Sequence, residues 1–226
     1  MKIQILKEII QKKSSKEKFA VLTNLINGNS EIFECGKFLS KDFEGSKKEI
    51  ENYHYLKKNG VIDGTQIFIQ NYIKPIEVII VGAVHISQYL VDLFKNLDFE
   101  VKIIDPRKYF ITTERFPNIE IINGWPDEIL NKLQTNSNNA LITLTHDPKI
   151  DDAALRYALK NKFFYIGALG SKKTHIKRCE RLKEAGFNEE EIESIHGPIG
   201  IKLGGKSAPE IALSIVAQLV SETHKL

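Results

Sequence analysis

Five short polar stretches carry the residues able to do chemistry, and four of them close apolar runs. The first is Gly82-Ala83-Val84-His85, after V-I-I-V. A glycine there permits a tight turn into a helix, and the free N–H groups of a helix start can hold an anion. In the dinucleotide fingerprint G-x-G-x-x-G the second glycine lets a pyrophosphate approach the backbone; here Val84 takes that place and Ser87 the third. The stretch reads equally as a binding turn with His85 at its mouth and as a turn kept for packing alone. The second is Ile103-Ile104-Asp105-Pro106-Arg107. Asp105 stands near the ~20-residue spacing of an acid that binds a ribose hydroxyl, yet it equally opens a turn before Pro106. Arg107 suits a phosphate or Asp105 itself. The third, Thr145-His146-Asp147, offers a proton carrier or a ligand to an oxo-metal centre, or simply turn chemistry.

The fourth stretch is Gly167-Ala168-Leu169-Gly170-Ser171-Lys172-Lys173-Thr174. Two lysines behind a Ser171 cap sit against the positive end of a helix dipole, and a bound anion would offset that cost. The spacing is not that of a P-loop. The fifth, Gly204-Gly205-Lys206-Ser207-Ala208-Pro209-Glu210, pairs a candidate anion nest with the S-x-x-E of a capping box. Before it, His196-Gly197-Pro198-Ile199-Gly200 is rich enough in Gly and Pro to read as a shaped loop. The sequence holds no G-x-S-x-G, H-E-x-x-H or C-x-x-C, and no pair of carboxylates framed for acid–base work, so no catalytic residue is assigned. Cys35 reads as part of a small strand and Cys179 as a small apolar residue of its helix.

The elements that must position these residues follow from periodicity. From Ile76 onward, apolar strands alternate with helices: E-V-I-I-V, a helix from His85 to Asn96, E-V-K-I-I-D, I-E-I-I-N, a helix from Pro126, A-L-I-T-L-T, a helix opening near Asp151-Asp152, F-F-Y-I-G-A-L, a basic helix from Ser171, and a last helix from Ser207. This rhythm predicts a Rossmann-like α/β fold, an open parallel sheet with helices on both faces. Residues 1–74 read as a small α+β domain, divided at Lys74-Pro75 from residues 75–226. That domain comprises an amphipathic N-terminal helix with Ile3, Leu6 and Ile10 on one stripe, strands F-A-V-L-T-N-L-I, E-I-F-E-C-G-K-F and T-Q-I-F-I-Q-N-Y-I, and a charged helix ending at Gly60. T-N-S-N-N stands out as a short low-complexity loop.

The chain has 226 residues, a formal charge of +3 and 42% apolar residues, with Lys and Glu interspersed. That pattern suits a solvated globular surface and argues against a nucleic-acid partner. No apolar run approaches the ~20 residues of a membrane span, and two cysteines cannot build a disulfide framework, so a reducing cytoplasm is expected.

Taken in order, V-G-A-V-H-I-S, I-I-D-P-R, E-R-F-P-N, T-H-D-P-K-I-D-D-A-A-L-R-Y-A-L, F-Y-I-G-A-L-G-S-K-K-T and G-P-I-G-I-K-L-G-G-K-S-A-P-E-I-A-L-S-I resemble the XdhC/CoxI family of xanthine dehydrogenase accessory factors. The resemblance covers roughly Ile76 to Val220 and implies a Rossmann-like C-terminal domain. It departs from the family's usual G-A-G-H at Val84, and residues 1–74 look like a diverged or reduced N-terminal domain. It further implies a cofactor-binding chaperone rather than a catalyst: a factor that binds molybdenum cofactor (molybdopterin), protects it during sulfuration and helps insert it into an apo molybdenum hydroxylase, with a cysteine desulfurase as sulfur source. On that reading the cofactor contacts are the five stretches: Gly82, Ala83, Val84, His85; Asp105, Arg107; Thr145, His146, Asp147; Gly167, Gly170, Ser171, Lys172, Lys173; and Pro198, Gly204, Gly205, Lys206, Ser207. The alternatives are an NAD(P)-binding oxidoreductase using Asp105, and a scaffold that binds only proteins. A homodimer would let the small N-terminal unit bury a face.

Overall fold

The computed structural model describes residues 3–15, 17–72, 75–135, 138–161 and 163–224. Parts of the expected first helix, of the Lys74-Pro75 boundary and of the T-N-S-N-N loop lie outside them. The chain divides into two compact units, Met1–Lys74 and Pro75–Leu226.

In the first unit α1 (Ile3–Ser14) precedes β1 (Phe19–Asn24) and β2 (Ser30–Phe33). Then come α2 (Lys41–Glu44), α3 (Lys47–Tyr55), β3 (Gly60–Val61) and β4 (Ile67–Tyr72). The strands form an antiparallel sheet in the order β2-β1-β4-β3. Both faces of β1 are covered: Ala20 and Leu22 pack with Phe43 and Ile50, while Phe19 and Val21 pack with Ile9. The stripe expected on α1 is not the buried one. Ile3, Leu6 and Ile10 are exposed, and Ile5 and Ile9, one turn apart, meet the sheet instead. The charged helix stops at a Leu56 cap rather than Gly60, which belongs to β3, and Cys35 lies in a turn just past β2.

The second unit opens with β5 (Glu77–Val81), α4 (His85–Lys95), β6 (Glu100–Asp105), β7 (Glu120–Asn123) and α5 (Pro126–Leu130). It continues through β8 (Asn139–Thr143), α6 (Pro148–Lys160), β9 (Tyr165–Ala168) and α7 (Lys172–Glu184). It ends with α8 (Glu189–Glu193), β10 (Ile195–His196) and α9 (Ala208–Thr223). Every pairing is parallel, in the order β10-β9-β8-β5-β6-β7. This is the doubly wound order, which reverses between β5 and β8, the place where such folds hold ligands. Alternate β5 residues serve opposite faces: Val78 and Ile80 pack with Leu90 of α4 and Ile215 of α9, and Ile79 and Val81 with Leu155 of α6 and Leu182 of α7. The sixth strand, β10, occupies part of the expected Gly-Pro loop. The helix expected to open at Asp151-Asp152 starts three residues earlier, because Asp147 caps it and Pro148 suits its first turn.

Candidate functional site

The sheet's carboxyl edge collects the sequence-selected residues into loops, and the first lies at the switch point. Gly82 has φ +115°, and a Cβ on it would stand 2.8 Å from the Thr145 methyl, so neither backbone nor space admits another residue. Ser87, at the fingerprint's third position, is buried and donates to the Gly82 carbonyl at 2.5 Å. Val84 is the N-cap of α4 and offers no side-chain cap, so the first N–H groups of that helix keep no partner from it. His85 is exposed, edge-on to Tyr89.

Asp105 is wholly buried beneath this loop. Its carboxylate accepts from the Ala83 N–H at 2.7 Å and from the backbone N, Nε and Nη2 of Arg107 at 2.8–2.9 Å. Burial alone would raise its pKa, but the Arg107 donors and the Ala83 N–H outweigh it and hold the carboxyl below the ordinary range. Four donors saturate its oxygens, leaving no lone pair for a ribose hydroxyl. Arg107 pairs with Asp105 and lies over the Phe110 ring. Arg115, which sequence reasoning left without a role, donates to the carbonyls of Ala83 and Phe110 and closes the loop from outside.

After β8 the chain is organised by Asp151. Its carboxylate accepts from the Thr145 hydroxyl at 2.7 Å and from the N–H groups of Thr145 and His146 at 3.2 and 3.1 Å. Burial pushes this carboxyl above the usual range, against those donors and the nearby Arg178. His146 is held in the left-handed region at φ +62°, with its ring exposed. Asp147 is spent on capping α6, accepting from the Lys149 N–H at 2.9 Å.

After β9 a cavity of about 220 Å³ opens between α6 and α7. His146, Asp151 and Asp152 line it from one side; Ser171, Lys173, Lys177, Arg178 and Arg181 line it from the other. Ser171 caps α7 by accepting the Thr174 N–H at 3.1 Å, and no acid stands in the first turn beside the exposed Lys172 and Lys173. Asp152 and Arg181 pair through two contacts at 2.5 and 3.0 Å. Arg178 is 2% exposed and gives only Nη2, to the Leu169 carbonyl at 2.9 Å; Nε and Nη1 find no acceptor among the described residues. Gly170 runs at φ +149° beside Arg178, whereas Gly167 is bare because Ile199 packs on it.

The last two stretches stand apart from the cavity lining. The Gly197-Pro198 bond is cis and Pro198 is exposed. Gln218 of α9 anchors this loop, accepting from the Gly200 N–H and the Tyr165 hydroxyl, each at 2.8 Å. At the Gly204-Gly205-Lys206-Ser207 nest the chain supplies its own anion. The Glu210 carboxylate accepts from the N–H groups of Lys206 and Ser207 at 3.2 and 3.0 Å and from the Ser207 hydroxyl at 2.5 Å. Gly205 must be bare for it, since a Cβ would stand 2.5 Å from Glu210 Cδ.

Of the sequence-selected residues, the fold thus joins Gly82 to Thr145 at the switch point, and His146 to Ser171 and Lys173 around the cavity. The residues that complete the cavity, Lys177, Arg178 and Arg181, were not singled out, because in a basic helix they look like a solvated face. Among the described residues no group of three or more His, Cys, Asp or Glu could hold a metal ion, and no helix is long and apolar enough to cross a membrane.

Comparison with known proteins agrees with this architecture. A crystal structure titled a xanthine dehydrogenase from Bacillus halodurans shares the fold, with a TM-score of 0.75 and 23% identity over 98% of this chain and 64% of that one. A Bacillus subtilis protein named as a probable xanthine dehydrogenase subunit is 27% identical over 162 residues, 71% of this chain and 47% of the relative. The molybdenum cofactor insertion chaperone PaoD of Escherichia coli is 39% identical over 88 residues, 39% of this chain and 28% of PaoD. The chain therefore spans less than half the length of these curated relatives. The XdhC Rossmann domain model matches residues 78–219, all but the ends of the parallel-sheet unit, and with the sheet order and ordered loops already described this makes the chain a member of the XdhC Rossmann domain family.

Proposed function

We propose that this protein is an accessory factor that binds molybdenum cofactor and assists its sulfuration and insertion into a xanthine dehydrogenase-type hydroxylase. One observation carries the reading: the family match spans residues 78–219, and a relative named as a molybdenum cofactor insertion chaperone shares 39% identity with the chain over 88 residues. The donor set fits such a cargo. Molybdopterin carries a phosphate and a polar pterin, and the carboxyl edge presents two helix starts with no acid in the first turn, those of α4 and α7.

In this reading α4 and α7 divide the work. The Gly82–His85 turn, held rigid by Asp105 and Arg115, offers backbone N–H groups and the exposed His85 ring toward the switch point. Thr145, His146 and Asp147 edge the same crevice, and the Ser171–Lys173 turn supplies positive charge beyond it. The Pro198 and Gly204–Ser207 loops are proposed to contribute through position only, because Glu210 already fills the nest. When bound, the cofactor supplies the molybdenum whose terminal oxo ligand is exchanged for sulfur. The partners on this reading are an apo hydroxylase and a cysteine desulfurase.

Purification from a host that makes the cofactor, followed by molybdenum analysis and fluorescence of the oxidised pterin, tests the proposal. Near-stoichiometric metal and pterin are expected. Protein that elutes with neither, from cells whose molybdoenzymes are active, would sink it.

A further inference from the structure

We infer that the cavity between α6 and α7 is a phosphate-binding site, with Arg178 as its buried anchor. The inference stands on this geometry and does not need the cofactor reading. Arg178 is almost wholly enclosed, yet Nε and Nη1 have no acceptor among the described residues, and a buried N–H left unpaired is costly, more so on a charged group. Its side-chain bond from Nη2 to the Leu169 carbonyl fixes the guanidinium and leaves Nε and Nη1 as charge-assisted donors for the oxygens of an anion.

The surroundings select the charge of that acceptor. Lys173, Lys177, Arg178 and Arg181 line the cavity against Asp151 and Asp152, an excess of two cations that matches a phosphate dianion. Asp152 is already held by Arg181, and Asp151 by Thr145 and His146, so neither carboxylate neutralises Nε and Nη1 by direct hydrogen bonding. The start of α7, a helix of 13 residues without an acid in its first turn, adds its own partial positive charge. At about 220 Å³ the space is below the ~300–1,000 Å³ of sites for whole drug-sized ligands, so it suits a phosphate group rather than an entire cofactor. The phosphate could be inorganic or the head of a monoester; the recognising chemistry is the same.

The test uses the full chain purified from a host unable to make molybdenum cofactor, so that failure of the cofactor reading leaves this result untouched. Calorimetric titrations with inorganic phosphate and with glycerol 3-phosphate, at constant ionic strength, are expected to show saturable binding at one site. A tighter ester identifies a head-group site and tighter inorganic phosphate a free-ion site; either upholds the proposal. Arg178→Gln should weaken binding by roughly tenfold or more, the loss of a charge-assisted pair. Because that variant alters a buried side chain, Lys177→Gln and Lys173→Gln on the exposed rim serve as second probes, each expected to cost roughly threefold to fivefold. Lys132→Gln, exposed and outside the cavity lining, should change nothing. Non-saturating heats, or equal affinity in the wild type and all three cavity variants, would overturn the inference and leave Arg178 as a structural cation.

Discussion

Two helices of the parallel-sheet unit begin on closely related words, G-S-K-K-T at Gly170–Thr174 and G-K-S-A-P-E at Gly205–Glu210, and the structure treats them oppositely. At α9 the third helical residue is Glu210, whose carboxylate turns back onto Lys206 and Ser207 and occupies the nest. At α7 the equivalent position is Thr174; no carboxylate returns, and a buried arginine stands behind the turn with unpartnered donors. The comparison teaches that a basic, glycine-bearing helix start is not yet a binding site. What separates the two is whether the chain supplies its own anion.

The comparison can be broken at several points. The largest effect is expected at Asp151, which holds three donors and faces Arg178. Asp151→Ala should destabilise the fold by about 2–4 kcal/mol in urea unfolding, because it strands buried donors beside a buried cation. A loss within the measurement error would mean that the cavity wall does not depend on it.

Next comes Asp105, the acid that makes the α4 turn self-contained. Asp105→Asn removes a charged acceptor from Ala83 and Arg107 and should cost about 1–3 kcal/mol at neutral pH. Its folded pKa lies below the ordinary value of 3.8, so the unfolded state takes up the proton first as the medium is acidified. The stabilisation is therefore complete above that value and lost as pH falls through the depressed folded value. The gap in Tm between wild type and variant should narrow below about pH 4; a gap that persists unchanged would show that its charge plays no part.

Thr174→Glu is a smaller and more pointed change, since it writes S-x-x-E into α7. It should stabilise the helix by about 0.3–1 kcal/mol while abolishing phosphate binding. A variant that is more stable and still binds phosphate would separate the site from the helix start. The smallest effect is expected from Glu210→Gln, an exposed cap that keeps its size and loses its charge. Tm should fall slightly, and no saturable phosphate site should appear at α9, because no buried guanidinium stands behind that nest. Phosphate binding gained there would erase the distinction between the two turns.

Much of the fold was legible without coordinates. Glu77–Val81 and Glu100–Asp105 follow from doubly buried apolar runs, and Ser171 reads as a cap from its place before a periodic stretch. The strand at Ile195–His196 was not legible, because two residues beside Gly197-Pro198 carry no alternation to read. The start of α6 was misplaced because Asp151 and Asp152 look like first-turn acids, while their real partners, Thr145 and Arg181, come from elsewhere. The stripe Ile3, Leu6, Ile10 has helical spacing, yet the sheet took Ile5 and Ile9. Periodicity reports that a face exists and says less about which face is buried.

By itself the sequence determined the alternation of strands and helices, the glycine at the Gly82 turn and the family, since these rest on local spacing and on the order of blocks along the chain. Only the tertiary structure decided the fate of the charges. Asp105 met Ala83 and Arg107, Glu210 folded back onto its own helix, and Arg178 was buried with donors to spare. The physical reason is that the pairing of a charge depends on what the fold brings within about 3 Å of it and how little water remains, and neither is written in the spacing of the residues.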